Sequence, residues 1–470
     1  MKNVLAFDFG ASTGRAIKAF FDGKTISYEE IHRFDNIPKE VDGHICHDVD
    51  MIFGEIKTAI DKAGKVDSIA FDTWGVDYAL LDEDGNIIHE PYHYRDERTN
   101  GVPEKAFELL GADELYKETG NQIMNLNTLF QLLSEENLDK AHKLLFMPDL
   151  FAYLLTGKKV CEMTIASTSQ MLEMKNKVWS KKVLDTFGIK EDLFPDIKES
   201  ATVNGEYKGI PVISVAGHDT QCAVAAMPTK SENAAFLSCG TWSLIGCELD
   251  SPVMTPQSNA LELSNEMGAN GKINFLKNIS GLWLIQETRR DLAKTDRKYS
   301  YNELEMMARD SEKFRSFIDP DAPELSSHGN LPDKIRAYCK NTNQKVPETI
   351  GQLVRCIYES LALKYRLALE QIGECTGKKF EVLHLMGGGT KDGFLCELTA
   401  QSLGIPVIAG PIEATALGNI VLQLIALGEI ESIEKGREII AENEKVKAFN
   451  EEHTPDWDEA YKRFCEVIKK

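Results

Sequence analysis

A small-residue hairpin near the start of the chain, repeated in altered form halfway along, constrains this sequence more than any other feature. Residues 3–20 read NVLAFDFGASTGRAIKAF: an apolar run, a turn built on Gly10, Ala11, Ser12, Thr13 and Gly14, and a second apolar run. Residues 234–246 read AAFLSCGTWSLIG, with the same order around a Gly-Thr turn. Each pattern predicts a β-hairpin. Glycine lets backbone N–H groups approach an anion closely, and Ser or Thr hydroxyls add donors. Two such hairpins half a chain apart imply two halves that face one polyphosphate, and hence nucleotide-dependent phosphoryl transfer. An ordinary tight turn accounts for either hairpin taken alone. The Walker pattern GxxxxGK[ST] is absent, and no GxGxxG follows the first strand, which disfavours a Rossmann fold.

Both halves run in the same order: hairpin first, helical segments in the middle, and strand–turn–helix later. That order predicts duplicated α/β domains with a cleft between them. The polar stretch Pro228–Asn233 is the best boundary, giving domains 1–230 and 231–470. A chain of 470 residues is long enough for two such cores. The net charge of −21 argues against a nucleic-acid or anionic-membrane partner, while a phosphate site needs only a few local donors. No apolar run reaches membrane-spanning length and no leader pattern opens the chain, so the expected location is cytoplasmic. The ten cysteines form no CxxC pair and read as buried reduced thiols; Cys339 and Cys356 would bridge only if the fold brings them together. His44, Cys46 and His47 form the one local cluster of soft ligands and are expected on a surface loop rather than at a metal.

Four motifs carry candidate chemistry. Asp8 ends the first strand just before the small-residue turn, where it could orient hydrated Mg²⁺ while Ser12, Thr13 and the fork of Arg15 face phosphate. Asp219, in Gly217-His218-Asp219-Thr220, stands between a buried strand and a small-residue helix. It reads either as a helix N-cap or as a weak base for an attacking hydroxyl, and phosphoryl transfer needs only a weak base. Gly387-Gly388-Gly389 removes side chains where a ring or phosphate could touch backbone. Asp72-Thr-Trp-Gly-Val-Asp77 interrupts a strand; Trp74 reads as core or as a sugar-stacking ring, with Gly75 admitting substrate to backbone. Asn278 and Gln286 are amides in an apolar stretch and require partners, whereas Trp283 reads as packing.

Taken together, DFGASTGR, DTWGVDYALLD, YRDERTNG, MPDLFAYLLTGK, GHDT, LSCGTWSLIG, LKNISGLWLIQ, LMGGG and GIPVIAGPIEATALGNI resemble the FGGY carbohydrate kinases nearly end to end. The resemblance implies two ribonuclease-H-like α/β domains of the actin, hexokinase and Hsp70 superfamily around a central cleft. It implies transfer of the ATP γ-phosphate, with Mg²⁺, to the 1-hydroxyl of L-rhamnulose in L-rhamnose catabolism, by a monomer or weak homo-oligomer. Another ketose, L-fuculose or a pentulose, is the close alternative. An actin- or Hsp70-like ATPase is disfavoured, because no peptide-binding domain follows. By position, Asp219 would be the base, and Ala11, Ser12, Thr13, Gly14, Arg15, Thr241, Gln286 and Gly388 would contact ATP. Gly75, His218, Asp219, Thr220 and Asn278 would contact the sugar. Cys239 and Gly217 stand where Ser is commoner in the family, and Cys239 is expected to tune nucleotide affinity or oxidation sensitivity.

Overall fold

The computed structural model describes residues 1–469 apart from Ala11, so that member of the predicted phosphate loop lies outside the described residues. The chain forms two compact units. One comprises Met1–Lys230, Glu248–Phe275 and Glu413–Glu444; the other comprises Ser231–Cys247, Leu276–Ile412 and Lys445–Lys470. The polar stretch after Met227 marks the first passage between units, and the chain then returns to the first unit twice. Two of the later passages fall inside strands, where no change of composition announces them.

In the first unit, β1 (Lys2–Phe9), β2 (Thr13–Phe21), β3 (Ile26–Asp35), β4 (Ser68–Thr73), β5 (Thr202–Tyr207) and β6 (Ile210–Ser214) make one sheet in the order β5-β6-β4-β1-β2-β3. Strands β1, β4 and β6 are parallel, while β2 runs antiparallel to both β1 and β3. Every residue from Val4 to Phe9 is buried, as expected of a central strand covered on both faces. On one face Leu5, Phe7 and Phe9 pack with Ile52 and Ile56. These belong to the helix Val49–Ala63, which Asp48 caps by accepting the Met51 N–H and whose buried residues recur at three- and four-residue spacing. On the other face Ala70 packs with Leu422 of the helix Ala414–Ala426. Buried amides pin that helix to the sheet: Asn419 donates to the Asp72 carboxylate at 2.7 Å, and Gln423 donates to the Leu5 carbonyl at 3.2 Å.

The second unit repeats this plan. Its strands β7 (Ala234–Cys239), β8 (Trp242–Leu249), β9 (Ile273–Ser280), β10 (Val382–Met386) and β11 (Val407–Ala409) are ordered β9-β8-β7-β10-β11. Strands β7 and β8 form the predicted hairpin, and β7, β10 and β11 run parallel. This is the order β3-β2-β1-β4-β6 of the first unit over again, the duplicated α/β architecture read from the sequence. Its core is built around the 27-residue helix Ile350–Thr376, opened by a capping box between Thr349 and Gln352.

The cysteines are reduced. Cys339 and Cys356 lie side by side: hydrogen bonding between the two thiols draws Cys339 down and drives Cys356 well up. None of the described helices is long and apolar enough to cross a membrane.

Candidate active site

The first unit gathers its candidate residues at the carboxyl ends of β1, β4 and β6, where parallel sheets bind ligands. Asp8 and Asp72 are direct neighbours on β1 and β4, and Thr73 bridges to His218 just beyond β6. The Thr73 N–H donates to the Gly217 carbonyl at 2.9 Å, fixing the approach to Asp219.

The hairpin turn between β1 and β2 is closed by Gly10 N–H donating to Thr13 O at 2.9 Å, and Asn36 N–H donates to Ser12 O at 3.0 Å. Ser12 is exposed and Thr13 half-buried. Gly14 has a packing reason: a Cβ there would fall 2.2 Å from the Phe34 ring. Arg15 does not stand alone. Its guanidinium forks between Asp8, the residue opposite it on β1, and Glu413. Glu413 lies in the motif GIPVIAGPIEATALGNI, but nothing local to it announces a pairing with Arg15, almost 400 residues away.

Asp219 is the first residue of the helix Asp219–Ala225, with His218 in the cap position making no side-chain cap bond. The N-cap reading therefore does not describe it. Its carboxylate accepts from Thr220 N–H at 2.6 Å and is about one-third exposed, at 32%. Burial raises its carboxyl to about 6; His218 opposes the rise and Asp8 adds to it. Asp72 is fully enclosed, with Oδ1 lacking a hydrogen-bond partner. Burial, then the charge of Asp8, pushes it well above the usual carboxylate range and favours its neutral form.

Between β4 and the next strand, the Asp77 N–H donates to the Gly75 carbonyl at 2.9 Å across Val76, whose φ is +67°. An i→i+2 bond around a positive φ is a strained γ-turn, and rarer still at a β-branched residue. Two threonines hold it: Val76 N–H donates to Thr168 Oγ1 at 3.1 Å, and Thr128 Oγ1 donates to Val76 O at 2.7 Å. Gly75 is half-buried, and a Cβ would meet Thr168 at 3.3 Å. Trp74 is core: it is 6% exposed, its ring lies on His47, and its indole N–H donates to Asp77 at 2.9 Å. His47 also bonds Asp77, at 2.7 Å, which corrects the surface-loop expectation for the His44–His47 cluster: Cys46 and His47 are buried. The cause is Asp77, a buried carboxylate that needs several donors and takes them from His47, Trp74 and Gln131.

The second unit brings three of its predicted residues together around Cys239. The Gly240-Thr241 turn is locked to the start of the helix Trp283–Thr295 by Leu282 N–H donating to Gly240 O at 2.9 Å and Trp283 N–H to Thr241 O at 3.2 Å. Thr241 Oγ1 donates to Gln286 Oε1 at 3.3 Å. The three glycines after β10 differ in purpose. Gly387 has φ +80°, and a Cβ on Gly389 would overlap Cys239 Sγ at 2.4 Å. Gly388 is exposed and its Cβ would come no nearer than 3.9 Å to Cys239 O, so the fold itself does not demand a glycine there. Asn278 is half-buried in β9, and Trp283 is packing, as read from the sequence.

Cys239 is wholly enclosed beside Ser243 and Tyr365, and burial pushes its thiol up to about 11. Oxidation and alkylation need an accessible thiolate, so the expected oxidation sensitivity is corrected by the packing. Iodoacetamide should leave Cys239 unlabelled in the folded protein while the half-exposed Cys375 and Cys465 react, as peptide mass spectrometry would read. Labelling of Cys239 ahead of those two would contradict this placement.

Among the described residues no group of three or more His, Cys, Asp or Glu side chains is placed to hold a metal ion. Asp8, at the end of β1 beside the turn, is the strand-end carboxylate that fits a divalent cation carried by waters and substrate phosphates rather than by a protein cage.

Residues 3–227 match the N-terminal domain and residues 235–427 the C-terminal domain of the FGGY family of carbohydrate kinases. The chain is 41% identical to a rhamnulokinase of Bacteroides thetaiotaomicron, over 100% of both chains. It is 39% identical to a rhamnulokinase of Enterococcus faecalis, over 93% of this chain and 92% of that one. The chain belongs to the FGGY family of carbohydrate kinases. The fold of this FGGY kinase is shared with a gluconate kinase from Lactobacillus acidophilus (TM-score 0.82, 17% identity, 100% and 98% of the two chains covered). It is also shared with a glycerol kinase from Plasmodium falciparum solved with ADP (TM-score 0.76, 16% identity, 100% and 97% covered). As a sugar kinase it uses ATP with a divalent cation, the class of chemistry implied by the paired hairpins.

Proposed function

We propose that this FGGY kinase phosphorylates L-rhamnulose at its 1-hydroxyl, giving L-rhamnulose 1-phosphate and ADP. Full-length similarity to rhamnulokinases at 36–41% identity is the observation that carries the substrate. The placement of Asp219 supports the chemistry. In the proposed step the 1-hydroxyl oxygen attacks the γ-phosphorus, the bond from that phosphorus to the β–γ bridging oxygen breaks, and the hydroxyl proton passes to Asp219. A carboxyl near 6 is still about nine-tenths ionised at pH 7, and is a stronger base than an ordinary aspartate.

Gly75, His218, Thr220 and Asn278 would hold the ketose. Ser12, Thr13, Gly14 and Arg15, with Ala11, would face the phosphates, and Thr241, Gln286 and Gly388 would serve the nucleoside side. The strained turn at Val76 fixes the Gly75 peptide, so the sugar meets a backbone group that does not need to be ordered on binding. Bound Mg²⁺, held through water by Asp8, would neutralise phosphate charge. Arg15, clamped by two carboxylates, has its cation fixed in place beside the turn.

A coupled ADP-release assay over a ketose panel tests the substrate. The expected result is Mg²⁺-dependent turnover with L-rhamnulose well above that with L-fuculose or L-ribulose. Clear turnover with either of the latter and none with L-rhamnulose would replace the substrate while keeping the kinase.

A further inference from the structure

His218 lies between two carboxylates. Its Nδ1 is 3.1 Å from Glu266 Oε2, and its Nε2 is 3.5 Å from Asp219 Oδ1. Glu266 sits on the strand Ser264–Met267, is buried at 5% exposure, and was not singled out by any sequence motif. The same Oε2 accepts from Gln221 Nε2 at 2.8 Å, and Asn274 in turn donates to Gln221 Oε1. Gln221 is therefore oriented as a donor toward Glu266.

A neutral imidazole has one N–H and one lone pair. With a carboxylate at each ring nitrogen, a neutral His218 could turn its lone pair only toward the Gln221 amide, 3.4 Å from Nδ1, and would then lose the closer contact with Glu266 at 3.1 Å. The doubly protonated ring satisfies both ends. We propose that Glu266 is a positioning residue: through its hydrogen bond to Nδ1 it keeps His218 doubly protonated, with Nε2–H directed at Asp219, and so keeps Asp219 ionised for proton transfer. This inference rests on the reading of Asp219 as the base.

The surroundings are consistent with that arrangement. Burial opposes a charged imidazole, yet Glu266, Asp219 and Glu162 together raise His218 above its ordinary value. Glu162 faces it from the segment Cys161–Glu162, where it accepts Gly217 N–H at 2.9 Å. Asp219 is faced by His218, by Asp8 on β1 and by Asp72 on β4. His218 is the cationic member of that set, so its loss removes the charge that favours ionised Asp219.

The test is Glu266→Gln in the full chain, which keeps shape and hydrogen-bonding capacity but removes the charge. The pH profile of kcat/KM for unaltered enzyme with L-rhamnulose should fall on the acid side near pH 6, as Asp219 takes a proton. In the variant that limb should move up by about one pH unit or more, the usual scale for removing a neighbouring opposite charge. Near pH 9 its kcat/KM should return to within about threefold of the unaltered value. A lowered rate at every pH with the limb unmoved would overturn the proposal and leave Glu266 a packing role. A second reading does not depend on activity. In ¹⁵N-histidine-labelled unaltered protein, His218 should carry protons on both ring nitrogens at pH 7, and a neutral ring would overturn the proposal even if the variant failed to fold. Unaltered protein that phosphorylated no ketose would instead sink the functional reading, with the ring protonation still deciding the pair.

Discussion

Asp219→Asn should lower turnover by about two to four powers of ten, the range for losing a positioned general base. Affinity for ATP should stay within a few-fold of the unaltered value. The amide is isosteric with the carboxylate and can still receive the Thr220 N–H, so the helix Asp219–Ala225 should keep its start. What disappears is the lone pair that takes the proton from the attacking hydroxyl, and with it the acid limb near pH 6. The residual rate would come from positioning and charge stabilisation, which dominate phosphoryl transfer. Steady-state kinetics give the turnover, and calorimetric titration with a non-hydrolysable ATP analogue gives the affinity. A variant that retained near-normal turnover would remove Asp219 from the chemistry and reduce it to a helix-start residue.

How much of this was legible in the sequence depends on range. Features carried by neighbours along the chain were readable. Apolar runs on either side of a small-residue turn predicted both hairpins, β1–β2 and β7–β8. The strand-end position of Asp8 and the strand-to-helix position of Asp219 followed from local pattern as well. Features made by contacts distant along the chain were not readable. Glu413 reaches Arg15, and Glu266 reaches His218, only through the tertiary fold. Local pattern also misassigned the environment of polar residues. His47 looks like a surface histidine until Asp77 is seen beside it, and Trp74 looks like a sugar platform until its N–H is seen donating to the same carboxylate. The three glycines after β10 look equivalent in sequence; only the Cβ each would carry separates the conformational one, the packing one and the exposed one.

Gly418→Ala should be the most damaging single methyl addition in the first unit. Gly418 lies in the helix Ala414–Ala426, and a Cβ there would sit 1.9 Å from the Cys222 carbonyl oxygen and 2.6 Å from its carbon. Both sides of that contact are backbone, so no flexible side chain can swing away. One helix must move off the other, and the partner is the helix that Asp219 begins. Overpacking of this kind costs about 1–3 kcal/mol, and more where backbone must shift. The helix Ala414–Ala426 is held on its far side by Asn419 and Gln423 hydrogen bonds to β1 and β4, so the helix Asp219–Ala225 is the freer of the two to yield. A displacement of about 1 Å at a reacting group is enough to cost roughly a hundredfold in rate. The expected result is therefore a lower midpoint of denaturant unfolding together with a large fall in kcat, although no atom of Gly418 approaches the site chemistry. Gly54→Ala is the matched control. Its Cβ would meet nothing within 4 Å in the helix Val49–Ala63, so it should stabilise by about 0.4–1 kcal/mol and leave the kinetics unchanged. Equal kinetics for the two alanine variants would show that the contact between the helices does not set the position of Asp219.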